Sequence, residues 1–432
     1  LNHQHVKYLI AGGGVAGSAA VEAIRRHDPA GTILFVGQEV NRPYNRPALS
    51  KGFLLRRTPR ADLTALPVGW YAERRIELRT GRRVTHIDAS RACVALDSGE
   101  EVSFDKLLLA TGASAKPLKV PGAGLPNVFS LRTIGDAERL QHAIDIAKST
   151  GRGSCTVIGG GLLGAELAAT IAQAGLHVDL IESGQTPWPM LAGSITGHFI
   201  TRLLQGGGVT VRCGETVERL EGDGRVQLVF TTAGTVVHCD FVVAAVGIQI
   251  NRDLLRGTPI AAETAVLVDD HCQTSVPGIY AAGDCCALLD PLFGKHRLLD
   301  HWDNARVTGN LAGANMAGGD ERYDTVNCFW SELCGQTARV WGEAKLVYRR
   351  LLRGLPGDTG AAEGFAEIGI AADGRVAQVI AFGRKAEHGM LSKLVETRFV
   401  VDGREEELKD TTLPLSAIFA ANSDDTADPS SF

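Results

Sequence analysis

A chain of 432 residues with 44 basic and 49 acidic side chains, 44% hydrophobic and 22% charged, has the make-up of an ordinary folded protein. That excludes a collagen-like, coiled-coil or disordered chain, and the length calls for two or three domains rather than one core. The net charge of −5 argues against general nucleic-acid binding.

The first element is an apolar strand, Val6–Ile10, running into Gly12-x-Gly14-x-x-Gly17. A helical stretch from Ser18 to His27 and a second strand from Thr32 to Val36 follow. Residues 41–90 then carry eleven Arg/Lys against four acids. A local basic field of that size can steer an acidic partner. Leu107–Thr111 reads as an apolar strand ending at Gly112.

The opening pattern then recurs. A strand from Ser154 enters Gly159-x-Gly161-x-x-Gly164, with a helix from Ala165 to Ala174 and a strand from His177 to Ile181. Phe241–Val246 ends at Gly247 as the earlier strand ends at Gly112, and both ends suit crossings between domains. Ile279–Ala282 leads into Gly283-Asp284, and a helix is expected from Asp303 to Met316. From Thr325 the pattern turns to short alternating strands, at Arg339–Val347, Phe365–Ala371 and Val376–Phe382, closed by a helix over Ala386–Glu396.

One such glycine motif is a weak signal, whereas two, each between a strand and a helix, are a strong one. The first glycine permits the tight turn and the second lets backbone approach a pyrophosphate. The third lets the helix pack close to the sheet, and the helix N-terminus offers free N–H groups to the phosphates. Glu182, after the second strand of the second copy, is placed to accept from a ribose 2′-hydroxyl and to repel a 2′-phosphate, so NADH is favoured over NADPH. The matching position in the first copy falls at Gln38 or Glu39.

The nine cysteines form no CxxC and show no zinc-ligand spacing with histidines, so no metal site is expected. Cys285–Cys286 reads as two small residues opening a helix. Residues 1–10 lead straight into a strand, so no signal peptide is expected. The longest apolar run, Phe241–Ile248, is far too short to span a bilayer, and residues 423–432 read as a polar tail. A cytoplasmic protein that does not engage a membrane is expected.

These stretches carry a resemblance to the two-dinucleotide-binding-domain flavoproteins. Within them the chain is similar to bacterial NADH:ferredoxin and rubredoxin reductases of oxygenase systems, and to apoptosis-inducing-factor-like flavoproteins. The most specific segments are Arg42–Phe53, Gly159–Glu166, Tyr280–Cys285, His301–Gly313 and Phe329–Glu332. The implied fold is α/β, with two Rossmann-like domains and a C-terminal α+β domain. A discontinuous FAD-binding domain would span residues 1–115 and 248–324, and an NAD-binding domain 116–247. The C-terminal domain would span 325–422, ahead of the tail 423–432.

The resemblance also implies site residues. FAD would lie at Gly12, Gly14, Gly17 and Gln38, with Val84 near the adenine. Arg46, Thr111, Gly112, Arg132 and Asp284 would surround its phosphates, ribitol or flavin. Trp302 and Asp303 would start a helix whose N-terminus points at the flavin N1/O2 edge. Lys51 and Glu166 would meet as an ion pair beside flavin N5, with Trp330 near the flavin and the nicotinamide. NAD(H) would be held by Gly159, Gly161, Leu163, Gly164, Glu182, Gly247 and His301. Three positions depart from the family pattern: Gln38 stands where an acid is usual, Ile250–Asn251 replaces Pro-Asn, and His301 stands where an acid often precedes Trp302.

The disulfide reductases of this superfold need a cysteine near residues 40–50, and the first here is Cys93. Electrons must therefore leave by another route. The implied activity is an NADH-dependent FAD reductase passing single electrons to a small acidic [2Fe–2S] ferredoxin or rubredoxin, by a monomer or homodimer. Alternatives are an NADH-sensing interaction flavoprotein of the apoptosis-inducing-factor type and an NADH oxidase.

Overall fold

The protein is described by a computed structural model that covers residues 4–151, 153–357 and 364–424. The chain divides into two compact units. The first comprises Leu1–Lys116, Arg132–Ile134 and Ile248–Thr325, and the second Pro117–Leu131, Gly135–Gly247 and Val326–Phe432. Most of the tail expected at 423–432 lies outside the described residues.

The first unit is built on parallel strands in the order Ile76–Thr80, Ile33–Gly37, Gln4–Ala11, Glu101–Leu109, with Ile279–Ala281 also pairing with Glu101–Leu109. The central strands read as near-continuous apolar runs because helices cover such sheets on both faces. Leu9, Ile10, Leu34, Phe35, Leu107 and Leu108 are wholly buried, each contributing about 1.5–3 kcal/mol of transfer free energy. The order reverses between Gln4–Ala11 and Glu101–Leu109, which opens a crevice at the carboxyl ends of these strands.

Helix Val15–His27 covers this sheet together with helix Trp302–Met316, and small residues set their approach. A Cβ on Gly309 would lie 2.8 Å from Ala16 Cα, and one on Gly313 2.7 Å from Ala20 Cα. The two backbones touch along this line, which sets the middle of the second helix beside the start of the first. The chain leaves the unit through Ala113–Ala115 and returns through Ile248–Ile250, and these two segments pair antiparallel.

The second unit repeats the parallel design. Its order is Val209–Cys213, His177–Glu182, Ser154–Ile158, Phe241–Ala244, Val128–Phe129. It also holds a five-stranded antiparallel sheet, in the order Cys328–Leu333, Gln336–Gly342, Val376–Gly383, Gly364–Ile370, Arg349–Arg353. The strand expected at Arg339–Val347 stops at Gly342, where φ is 93° and a Cβ would overlap the Ala377 carbonyl. The closing helix begins at His388, after a short turn at Lys385–Glu387. Cys285–Cys286 does not open a helix: Cys285 ends a short turn, and Cys286 starts the strand Cys286–Asp290 because its backbone is drawn into pairing with Val266. No described helix is long and apolar enough to cross a membrane.

The C-terminal segment is held by one buried cation. Arg353 is fully buried and donates to both oxygens of Glu387 and to the carbonyls of Leu408, Asp410 and Leu413. Burial pushes the Glu387 pKa up, but hydrogen bonds from Arg384 and Arg353 outweigh it and draw the value down to about 2. The folded pKa lies below the ordinary 4.5, so this stabilisation is complete above that value and is lost as the pH falls through the folded one. Glu387→Gln is expected to lower unfolding stability at pH 7 by about 2 kcal/mol or more. Urea titrations should show the deficit shrinking below pH 4.5. A deficit independent of pH would refute this account.

Candidate functional site

In the first unit the strand Gln4–Ala11 ends at Gly12, whose φ is 131° and whose amide donates to the Val36 carbonyl at 2.8 Å. A Cβ at Gly12 would overlap the Ala110 peptide, and one at Gly17 would sit 2.5 Å from the Gly12 carbonyl and 2.7 Å from the Phe35 ring. Gly14 is the N-cap of helix Val15–His27. No side chain caps this helix and no acid lies in its first turn. Its first N–H groups and the positive end of its dipole are therefore left for an anion.

Other expected residues gather around this turn. Arg46 Nη1 would be 3.7 Å from a Cβ on Gly14, and its Nε donates to the Arg132 carbonyl at 3.1 Å. Arg132 forms an ion pair with Asp284 at 2.6 Å and lies over Gly112, 3.4 Å from where a Cβ would be. Asp284 follows Gly283, whose amide donates to Thr308 of helix Trp302–Met316 at 3.0 Å. Thr111 is exposed beside Gly12.

That helix starts at His301, whose Nδ1 accepts from the Asn304 amide at 3.3 Å. Burial pushes the His301 pKa down to about 4, so the ring is neutral at pH 7 and acts as a capping acceptor. Trp302 Nε1 donates to Asn45 at 2.9 Å, and Asp303 pairs with Arg306 at 3.1 Å.

Of the two residues that could follow the second strand in this role, Gln38 and Glu39, the acid Glu39 is already paired: it accepts from Tyr44 and from Arg46, each at 2.6 Å. Gln38 is exposed, next to the close pass of Gly37 and Gly13. Val84 sits farther along, buried on the antiparallel strand Val84–Asp88. The chain reaches it by way of Gly81 and Arg82, whose amides donate to the Glu39 and Gly37 carbonyls. Lys51 ends the turn Arg46–Ser50, and its Nζ donates to the Pro47 carbonyl at 3.3 Å.

The second unit reproduces the cradle. Gly159 has φ 101°, its amide donates to Ile181 at 2.8 Å, and a Cβ would be 2.5 Å from the Ala245 carbonyl. Gly161 caps helix Leu162–Gln173 with no side-chain cap and no acid in the first turn. Space beside Gly161 is open, whereas a Cβ on Gly164 would overlap Gly159.

Glu182 is buried at the end of its strand. One oxygen accepts from the Gly160 amide at 2.5 Å, the other from the Gly184 amide at 2.6 Å and Ser183 Oγ at 3.1 Å. Leu163 is 38% exposed at the helix start, and Gly247, with φ 101°, is exposed beyond Ala245. On the same helix Glu166 is buried and accepts from Ser331 Oγ at 3.1 Å. Trp330, half-buried, is the next residue back along that strand. Lys51 belongs to the first unit, and Glu166 and Trp330 to the second.

Sequence reasoning assigned no role to Tyr44, Asn45 or Ser331. Tyr44 also accepts from the Ile134 amide at 3.0 Å, and burial pushes its pKa well up. Tyr44 and Asn45 lie inside the Arg42–Phe53 stretch, so their signal was present without a partner to interpret it.

Cys285 and Cys286 are buried and their thiols donate to the Leu109, Ala282 and Gly283 carbonyls. Burial raises both pKa values, which makes them poor nucleophiles.

Both cradles fit a dinucleotide: glycine stands wherever a side chain would fill the approach, and each helix start is uncapped. That defines a dinucleotide-binding protein of duplicated α/β design. The chain belongs to the pyridine nucleotide-disulphide oxidoreductase family, whose model matches residues 6–309. It is similar to rhodocoxin reductase of Rhodococcus erythropolis, 32% identical over 96% of this chain and 95% of that relative. It is also similar to the biphenyl dioxygenase system ferredoxin–NAD(+) reductase component of Paraburkholderia xenovorans, 31% identical over 95% and 98%. Among solved structures, the covalent putidaredoxin reductase–putidaredoxin complex matches with a TM-score of 0.89 at 27% identity, covering 97% of this chain and 99% of that one.

The His301 cap gives a direct check. His301→Ala is expected to cost about 1 kcal/mol at pH 7, and His301→Asn, which keeps an acceptor, much less. The folded pKa lies below the ordinary 6.5, so the unfolded chain takes up the proton first and stability falls as the pH drops from 6.5 towards 4. Chemical denaturation of the three proteins at pH 7 and pH 5 measures both effects.

Proposed function

We propose that this protein is an NADH-dependent flavoprotein reductase: NADH, held by the second unit, reduces an FAD held by the first, and electrons then pass singly to a small acidic iron–sulfur protein or rubredoxin. The observation that carries this reading is the pair of uncapped glycine cradles, one in each unit, on a chain with no cysteine before Cys93. Bound FAD would accept two electrons from the nicotinamide and release them one at a time.

The protein's own part is to bind, orient and exclude. The start of helix Val15–His27 would take the flavin dinucleotide's pyrophosphate, with Arg46 and the Arg132–Asp284 pair alongside. Helix Trp302–Met316 would direct its positive end at negative charge on the flavin ring. The start of helix Leu162–Gln173 would take the second pyrophosphate, and Glu182 the adenosine ribose, which favours NADH over NADPH. Lys51, Glu166 and Trp330 are assigned to positioning the nicotinamide, since hydride transfer depends first on geometry.

The FAD-binding domain is assigned to 1–115 and 248–324, the NAD-binding domain to 116–247 and the C-terminal domain to 325–422. The presence of one parallel and one antiparallel five-stranded sheet in the second unit supports the last division. A cytoplasmic, reducing setting fits the buried, unbridged thiols of Cys93, Cys155, Cys239 and Cys272. An NADH-sensing interaction role is not favoured, because the relatives that match along nearly the whole chain carry reductase names.

Anaerobic stopped-flow mixing tests the reading. NADH is expected to bleach the flavin band rapidly, and a [2Fe–2S] ferredoxin to restore it. Raising ionic strength should slow the second step and leave the first nearly unchanged, because the basic excess in residues 41–90 acts on encounter with the carrier. No bleaching by either coenzyme would overturn the proposal, and equal salt dependence of both steps would remove the steering argument.

A further inference from the structure

The segment that follows Glu182 is braced at one residue, Trp188. Trp188 is 1% exposed and has a φ of 58°, the one aromatic side chain among the described non-glycine residues with positive φ. A bulky residue in that region is strained and persists only where its surroundings over-determine it.

Two contacts hold it. Its amide donates to the Gly160 carbonyl at 2.8 Å, and its indole stacks on Phe382 with the ring centres 6.1 Å apart and the planes 27° from parallel. Phe382 lies in the antiparallel sheet and packs in turn against Phe199 and Phe365. The indole N–H has no partner among the described residues, so the side chain serves by shape and stacking rather than by a hydrogen bond.

Gly160 lies between the first two motif glycines of the second cradle, Gly159 and Gly161, and both its amide and its carbonyl are taken. Its amide donates to Glu182 and its carbonyl accepts from Trp188. Between these points the segment has little room to move. A Cβ on Gly184 would lie 2.6 Å from Pro189, and Thr186 packs directly on Gly197 of helix Ser194–Gly206. Past Trp188, the Leu191 carbonyl accepts from Arg350 at 3.2 Å, a second tie to the antiparallel sheet.

We propose that Trp188 is a positioning residue for the coenzyme: by plugging into the aromatic cluster of the antiparallel sheet it locks residues 183–192, so that Glu182 and Gly160 present a ribose site that accepts a 2′-hydroxyl and has no room for a 2′-phosphate. This rests on reading Gly159–Gly164 as the NADH cradle. The antiparallel sheet thereby helps set coenzyme choice, although it supplies none of the glycines or the acid. Without the plug the Glu182 carboxylate would still be present, but its direction and the closure of the loop over it would not be held.

The test uses the flavin-loaded full-length protein and measures anaerobic flavin reduction over a range of NADH and NADPH concentrations. Trp188→Gly removes the ring and tolerates the positive φ. It is expected to weaken NADH binding roughly tenfold or more, as displaced binding groups do. The preference for NADH over NADPH should narrow, while the reduction rate at saturating NADH stays within about threefold. Trp188→Phe keeps a stackable ring and loses no hydrogen bond, so it should behave like the parent. A general loss of structure would instead lower flavin retention and the saturating rate together.

Should Trp188→Gly fail to fold, Trp188→Leu, which keeps bulk without stacking, is read by the same titration against Trp188→Phe. Unchanged NADH affinity and unchanged coenzyme preference in the folded Gly or Leu variant would overturn the proposal alone. A parent protein that neither coenzyme reduces would overturn it together with the function on which it rests.

Discussion

Each nucleotide cradle depends on one backbone-to-backbone contact, the pass of a loop glycine against the strand that ends beside it. Gly12 lies on the Ala110 peptide, and Gly159 lies on the Ala245 carbonyl. With a Cβ at either place the turn could not close. The amide would then lose its bond to the neighbouring strand, and the helix would start elsewhere. Protein interiors are close-packed, so a displacement of one methyl group is transmitted rather than absorbed. The third glycine of each motif extends the same logic by letting the helix lie directly on the loop that starts it.

The helix starts are what this contact positions. Neither Gly14 nor Gly161 offers a capping side chain, and neither first turn holds an acid. Four N–H groups without an internal partner are costly unless something else satisfies them. In the first unit, a further helix with a half-buried neutral cap, His301, packs along the first helix by the line of Gly309 and Gly313 against Ala16 and Ala20. Glycines therefore serve close approach in three places, at the two cradles and between the two helices.

Side chains around the cradles are arranged by mutual pairing rather than by sequence proximity. Glu39, Tyr44, Arg46, Arg132 and Asp284 form a connected set that spans most of the length of the first unit. Fixed polar groups of this kind hold their orientation before a ligand arrives, which is what recognition of a charged dinucleotide requires. In the second unit the corresponding acid, Glu182, is held by amides of the loops it serves.

Much of this was legible in the sequence because it is local. The two strand–glycine–helix patterns announced both cradles, since the requirement for glycine at those turns is a property of a few consecutive residues. The first helix begins at Val15 rather than Ser18, a shift of less than one turn. Glu182 was legible from its place after the second strand. The use of Glu39 was not, because the choice between Gln38 and Glu39 turned on Tyr44 and Arg46, whose side chains meet it only after folding. The fate of Cys285–Cys286 depended on distant strands, and the early stop at Gly342 on the Ala377 peptide. The sequence by itself therefore determined the α/β class, the duplication and the residues able to face a phosphate. Only the tertiary structure decided which charges are already paired, where Trp188 anchors its loop and which cap starts the helix at Trp302, because long-range packing and electrostatics choose among partners that local pattern leaves equivalent.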